Sequence, residues 1–186
     1  KTTISIGNSL CSFCQAGQSK NESRYTCTNC QAGQYSEAAA EECFQCPKGY
    51  AQDQEGQAGC LRCIPGKVNN NIGDIKCIEC ELDYFYSDSG GSLCNRCPLG
   101  RTTASVGSSL CSSCESGKAK NESSHTCTTC EAGQYSASAA EECFKCPGGY
   151  SQADKGQAGC LKCIPGKVNN NNGSIICNAC DLGRFS

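Results

Sequence analysis

Tryptophan and methionine are absent from this 186-residue chain, and it has a single histidine. Leu, Ile, Val and Phe together number 25. That is well under the fifth or so of a chain, roughly, that is needed to bury enough apolar surface against chain entropy. No apolar run approaches the roughly 20 residues of a membrane-crossing helix, so no membrane span is expected. Charge of one sign is lacking too. The formal net charge is −2, and Lys and Arg are scattered singly. Without a basic stripe there is nothing to follow a phosphate backbone, and nucleic acid is not an expected partner. A secretory signal pattern is also missing. The sequence opens and stops in mid-motif, which leads us to expect a segment of a longer chain.

What is abundant is cysteine, at 22 residues. All fall into eleven Cys-x-x-Cys pairs, beginning at Cys11, Cys27, Cys43, Cys60, Cys77, Cys94, Cys111, Cys127, Cys143, Cys160 and Cys177. The steps between pairs are 16, 16, 17, 17, 17, 17, and then 16, 16, 17, 17. Residues 1–86 align with 101–186 without a gap and share 55 identities. Two periods are therefore nested, a module of 16 or 17 residues and a six-module unit of 100. A fixed short period marks an array in which each module meets its neighbours. We read residues 1–100 as a first six-module unit and 101–186 as a second, incomplete one.

Within a module, glycine stands three residues after the second cysteine in ten of eleven cases, with Asp83 as the exception. Asp tolerates left-handed backbone, so the position reads as a turn residue. An aromatic often follows, as in Tyr35, Tyr50, Phe85, Tyr135, Tyr150 and Phe185. Turn followed by short strand is the expected pattern. Every 17-residue step has a second glycine four positions before its next pair: Gly56, Gly73, Gly90, Gly107, Gly156 and Gly173, with Gly7 at the same place before Cys11. A bulge or left-handed turn is expected there. In the shorter modules SEAAAEEC (36–43) and SASAAEEC (136–143) put a capping serine before Ala and Glu, which predicts a single helical turn.

Three chemistries use Cys-x-x-Cys. Paired knuckles bind zinc, but here every gap is alike and none marks where one site would end. A redox dithiol needs one privileged helix terminus, which eleven equivalent pairs cannot all have. Disulfides are the preferred reading, each closing a short loop and stabilising the fold by roughly 3 kcal/mol when taken alone. Treating all modules identically bonds the second cysteine of one pair to the first of the next. The expected bonds are Cys14–Cys27, Cys30–Cys43, Cys46–Cys60, Cys63–Cys77, Cys80–Cys94, Cys97–Cys111, Cys114–Cys127, Cys130–Cys143, Cys146–Cys160 and Cys163–Cys177. Cys11 and Cys180 would then pair outside the segment. An interlaced pattern, first to first and second to second, is the alternative and strands one pair.

The stretches CFQCPKGY (43–50) and CFKCPGGY (143–150), each leading through a Gly-containing loop to the next pair, resemble the ephrin-receptor-like cysteine-rich repeat. Similar modules occur as GCC2/GCC3 repeats in protist surface proteins, in ciliate surface antigens and in the small modules of tumour-necrosis-factor receptors. The resemblance implies a secreted, disulfide-bonded, calcium-independent repeat and names no ligand.

Little else points to chemistry. His125 matches Tyr25 of the other copy and lacks a Ser, Cys or Asp constellation, so it reads as a surface residue. Glu41–Glu42 and Glu141–Glu142 read as solvated turns, and Asp88 lacks the ligand set of a calcium loop. No catalytic residue, metal or cofactor is expected, and no enzyme. Asn21, Asn121 and Asn172 each open an Asn-x-Ser sequon and are candidate N-glycan sites. The fold class expected is a small disulfide-rich repeat, an elongated rod of short β-hairpin modules with little hydrophobic core. The expected role is a structural repeat of an extracellular filament or cell-surface stalk, with copies of itself, neighbouring filament chains and N-glycans as partners. A ligand-binding receptor ectodomain and a protective surface coat antigen are the alternatives.

Overall fold

The computed structural model describes residues 13–23 and 26–181. Cys11, Gly7, Tyr25, Gly183 and Phe185, which entered the reading above, lie outside them. The described residues form ten two-stranded antiparallel sheets, each a hairpin of neighbouring strands, and no helix. Two hairpins have four-residue strands, Gln18–Asn21 with Thr26–Asn29 and Lys118–Asn121 with Thr126–Thr129. The others have strands of two residues, such as Gln34–Tyr35 against Phe44–Gln45, with Tyr35 opposite Phe44. Hairpins this short are not stable alone in water. Each is closed by a covalent bond.

Ten disulfides join Cys14–Cys27, Cys30–Cys43, Cys46–Cys60, Cys63–Cys77, Cys80–Cys94, Cys97–Cys111, Cys114–Cys127, Cys130–Cys143, Cys146–Cys160 and Cys163–Cys177. The bonds form a ladder with sequence separations of 13 or 14. Cys180 is the free cysteine among the described residues. We number the loops 1 to 10 by these bonds, from loop 1 (14–27) to loop 10 (163–177).

The chain divides into two units. One takes the described residues up to Ile64, with Val68–Ile78 and Ser89–Leu93; the other takes Pro65–Lys67, Glu79–Asp88 and the described residues from Cys94 onward. Among the described residues, the buried hydrophobic ones are cysteines and one alanine in each unit, Ala51 and Ala119. Large apolar side chains lie outside instead, among them Leu61 at 68% and Ile78 at 60% exposure. A small disulfide-rich hairpin repeat with little hydrophobic core is what the composition led us to expect.

The expected helical turn at 36–43 does not form. Ala39 and Ala139 have φ of 62° and 60°. Left-handed backbone cannot continue a right-handed helix. The reason lies in the neighbouring loop: the Ala39 N–H donates to the Cys14 carbonyl at 2.8 Å and that of Ala139 to Cys114 at 2.7 Å. Gly56, Gly73 and Gly90 make the same bond, to Cys30, Cys46 and Cys63. Loops 2 and 8 thus keep the left-handed corner of the longer loops and place alanine in it.

Candidate functional site

A molecule built of equivalent loops works through its joints, so the joint is the site of interest. In loop 3 (46–60) the hairpin is closed by the Cys63 N–H donating to the Gly49 carbonyl at 2.9 Å. The Gly49 N–H donates to the Asn69 carbonyl in loop 4, at 2.8 Å. In return the Gly73 N–H of loop 4 donates to the Cys46 carbonyl at 2.8 Å. The same bonds recur at Gly33 with Gln52, at Gly117 with Ser136 and at Gly133 with Gln152. Backbone groups that two-residue strands leave unpaired are thereby satisfied by the next loop.

Glycine is required at the loop corner for two reasons. Gly49 has φ of 82°, and a β-carbon there would lie 2.1 Å from the Gly90 carbonyl oxygen of loop 5. Gly100 meets the Ala139 carbonyl of loop 8 in the same way, at 1.8 Å from a β-carbon position. Gly17, Gly33, Gly66, Gly117 and Gly133 likewise crowd a carbonyl of the loop after next, whereas a β-carbon at Gly149 or Gly166 would meet nothing within 4 Å.

Between the corners runs a row of buried polar residues that the sequence reading missed. Three positions past the corner stand Ser36, Gln52, Asn69, Thr103, Lys120, Ser136, Gln152 and Asn169, all buried. Ser36 Oγ donates to the Gln18 carbonyl at 3.0 Å, and Asn69 Nδ2 donates to that of Tyr50 at 2.6 Å. Ser136 and Asn169 repeat these bonds to Lys118 and Tyr150, at 3.0 and 2.8 Å. A buried amide or hydroxyl is tolerable when so bonded. The signal was present in the sequence: this position is polar in both copies and identical in Ser36/Ser136, Gln52/Gln152, Asn69/Asn169 and Lys20/Lys120.

One joint differs. Asp83 holds the corner of loop 5 with φ of 69°, and its side chain is fully buried. Its N–H donates to Thr103 Oγ1 at 2.9 Å. Lys120 of loop 7, itself 5% exposed, places Nζ 2.8 Å from Asp83 Oδ1 and 2.9 Å from Oδ2. Arg96 Nε lies 3.4 Å from Oδ2, and its Nη2 lies 2.6 Å from Glu122 Oε2. Lys120 Nζ is also 3.5 Å from Glu122 Oε1. His125, read as a plain surface residue, is brought here with Nδ1 buried and 3.7 Å from Asp83 Oδ2. Its φ is 54°, and its carbonyl accepts from Thr102 Oγ1. Buried ions need mutual partners to offset desolvation, and this joint supplies them across 37 residues.

The remaining candidates are dispersed. Asn121 and Asn172 are exposed and Asn21 is half-buried. Asn121 Oδ1 accepts from the N–H groups of Ser123 and Ser124 at 2.9 and 3.0 Å, an Asx turn at the hairpin tip. Tyr35 packs on Phe44 of its own hairpin, ring centroids 6.1 Å apart. Glu115 is held below the ordinary carboxylate value by its hydrogen bond from Lys118, at 2.8 Å, and by that residue's charge.

Residues 33–73 and 66–114 match the family model described as tyrosine-protein kinase ephrin type A/B receptor-like. No curated protein matches the chain. The modules within residues 33–114 are thus similar to this ephrin-receptor-like type.

Proposed function

We propose that these ephrin-receptor-like repeats are a structural segment of an extracellular filament or cell-surface stalk. The coarser part rests on firm ground: ten disulfides and the ephrin-receptor-like match point to an extracellular or cell-surface repeat region. No helix among the described residues is long and apolar enough to cross a membrane.

The observation that carries the structural role is the recurrence of one joint. Most loops present the same carbonyls and the same N–H groups to their neighbours, so length grows by adding copies with few new contacts devised. Disulfides close each loop against local opening, which suits a protease-resistant spacer. Units repeated at a 100-residue period without a gap suit an assembly in which each meets an equivalent neighbour, whereas a receptor's ligand site would usually set one module apart. N-glycans on Asn21, Asn121 and Asn172 would cover exposed hairpin edges. In this reading the chain carries out no catalysis.

Electron microscopy of the native material tests it. A thin filament whose lateral contacts recur once per 100 residues is expected, with glycan density at Asn21 and Asn121. Isolated, flexible particles without that period would instead support a receptor ectodomain or a coat antigen.

A further inference from the structure

Loop 2 carries a concavity of about 410 Å³ lined by Tyr35, Glu37, Ala38, Ala40 and Phe44. The two rings stand 6.1 Å apart at 45°, with Phe44 49% exposed. Glu37 is exposed beside them. Residues 31–47 contain three carboxylates, Glu37, Glu41 and Glu42, and no Lys or Arg. An exposed ring beside a half-buried one, with an adjacent carboxylate, can recognise a flat cation.

The next hairpin gives an intramolecular precedent. There Arg62 lies over the Tyr50 ring, 5.6 Å from its centroid, and its Nε donates to the Tyr50 hydroxyl at 2.9 Å. Loop 3 thus supplies its own guanidinium; loop 2 has the rings and the acid but no cation of its own. Loop 8 supplies the internal control. Tyr135 and Phe144 keep the ring geometry, 6.1 Å and 43°, but Ala137 replaces Glu37 and Ser138 replaces Ala38. At the lining positions the two sites therefore differ mainly in the carboxylate, while beyond them Glu131 replaces Gln31 and Lys145 replaces Gln45.

We propose that the Tyr35–Glu37–Phe44 concavity binds the arginine side chain of a partner protein, and that the equivalent place at Tyr135–Phe144 does so far more weakly. The guanidinium would lie against the rings with an N–H directed to the Glu37 carboxylate. Occupant chemistry follows from charge: loop 2 is uniformly acidic, and a planar cation uses both rings where an ammonium uses one point.

The test is an NMR titration of the oxidised chain with acetyl-Gly-Ser-Arg-Ser-Gly-amide and with the same peptide bearing citrulline, which has the shape of arginine without its charge. Saturable shifts are expected at Tyr35, Glu37 and Phe44 with the arginine peptide. The affinity should fall about fivefold or more with citrulline or in Glu37→Ala. Ala137→Glu should bring Tyr135 and Phe144 to a matching response. The proposal is overturned by equal responses of both copies in the unmodified chain, by equal binding of citrulline, or by no response at millimolar peptide. None of these readouts depends on filament formation.

Discussion

At Gly49 and at Asp83 the corner backbone is left-handed, with φ of 82° and 69°. Around Gly49 the carbonyl of Gly90 leaves no room for a β-carbon. Around Asp83 a whole carboxylate is buried, met by Lys120, Arg96 and His125. The difference lies two loops further on. Loop 5, which covers Gly49, carries Gly90 four positions before its closing pair, with φ of 82°. Loop 7, two on from Asp83, has longer strands and places its left-handed residue at His125 instead. A corner can therefore hold a side chain only where the covering loop withdraws its carbonyl. Once it does, the vacated contact is remade with ions.

Substitution at Gly49 should break that comparison most. Gly49→Ala forces left-handed alanine, costing about 1–2 kcal/mol, and pushes the Gly90 carbonyl away at the further expense of its loop's hydrogen bonds, for a total of about 4 kcal/mol. Hydrogen exchange on the oxidised chain should show loss of protection at Gly49, Cys63 and Gly90. Gly59→Ala is the control, since a β-carbon there meets nothing within 4 Å. Equal effects of the two would show that crowding at the corner is not what selects glycine.

Removing the cation of the ionic joint comes next. Lys120→Met leaves Asp83 buried with a weaker partner and should cost about 3 kcal/mol, read as faster exchange in Lys118–Asn121 and Thr126–Thr129. Lys20 occupies the same place in the other four-residue hairpin but is exposed. Lys20→Met should change exchange there by no more than about 0.5 kcal/mol. Like effects at the two lysines would mean that the Asp83 contact contributes nothing.

A smaller, compensating effect should follow from adding Asp83→Gly to Lys120→Met. Glycine suits φ of 69° and removes the carboxylate that has lost its main partner, so about half of the lost protection should return. No recovery would place the cost of Lys120→Met in lost packing of its alkyl chain.

The smallest effect separates the openings of the two long hairpins. Loop 7 opens with the Glu115–Lys118 pair, where loop 1 has Gln15 and Gln18 joined by a hydrogen bond from the Gln15 N–H at 3.4 Å. The folded-state pKa of Glu115 is lowered, so its contribution is present above the unfolded value and is lost as pH falls through the folded one. Acid titration by carboxyl NMR should place Glu115 below the ordinary glutamate value. Lys118→Gln should abolish the difference. Persistence in that variant would assign the shift to another cause.

Much of this architecture follows from local chemistry, and there the sequence sufficed. Spacing of eleven cysteine pairs at steps of only 16 or 17 residues implies one bonding rule, because equivalent modules cannot bond differently and still repeat. Scarce large apolar residues imply that cross-links replace a core. Glycine at one fixed place, with aspartate as its substitute, implies left-handed backbone, and the angles agree at Gly49 and Asp83. These are properties of a few consecutive residues. What the tertiary structure alone decided is which loop meets which. Ala39 reads locally as a helix former; the Cys14 carbonyl, 25 residues away in the chain, turns it left-handed. Asp83 reads as a turn residue and nothing local singles out Lys120, yet burial converts them into a joint. His125 looked isolated because its carboxylate neighbour lies 42 positions earlier. Local pattern encodes the shape of a loop; the pairing of groups between loops depends on how successive loops stack, and stacking is set by backbone bonds that any sequence with the right corners can make.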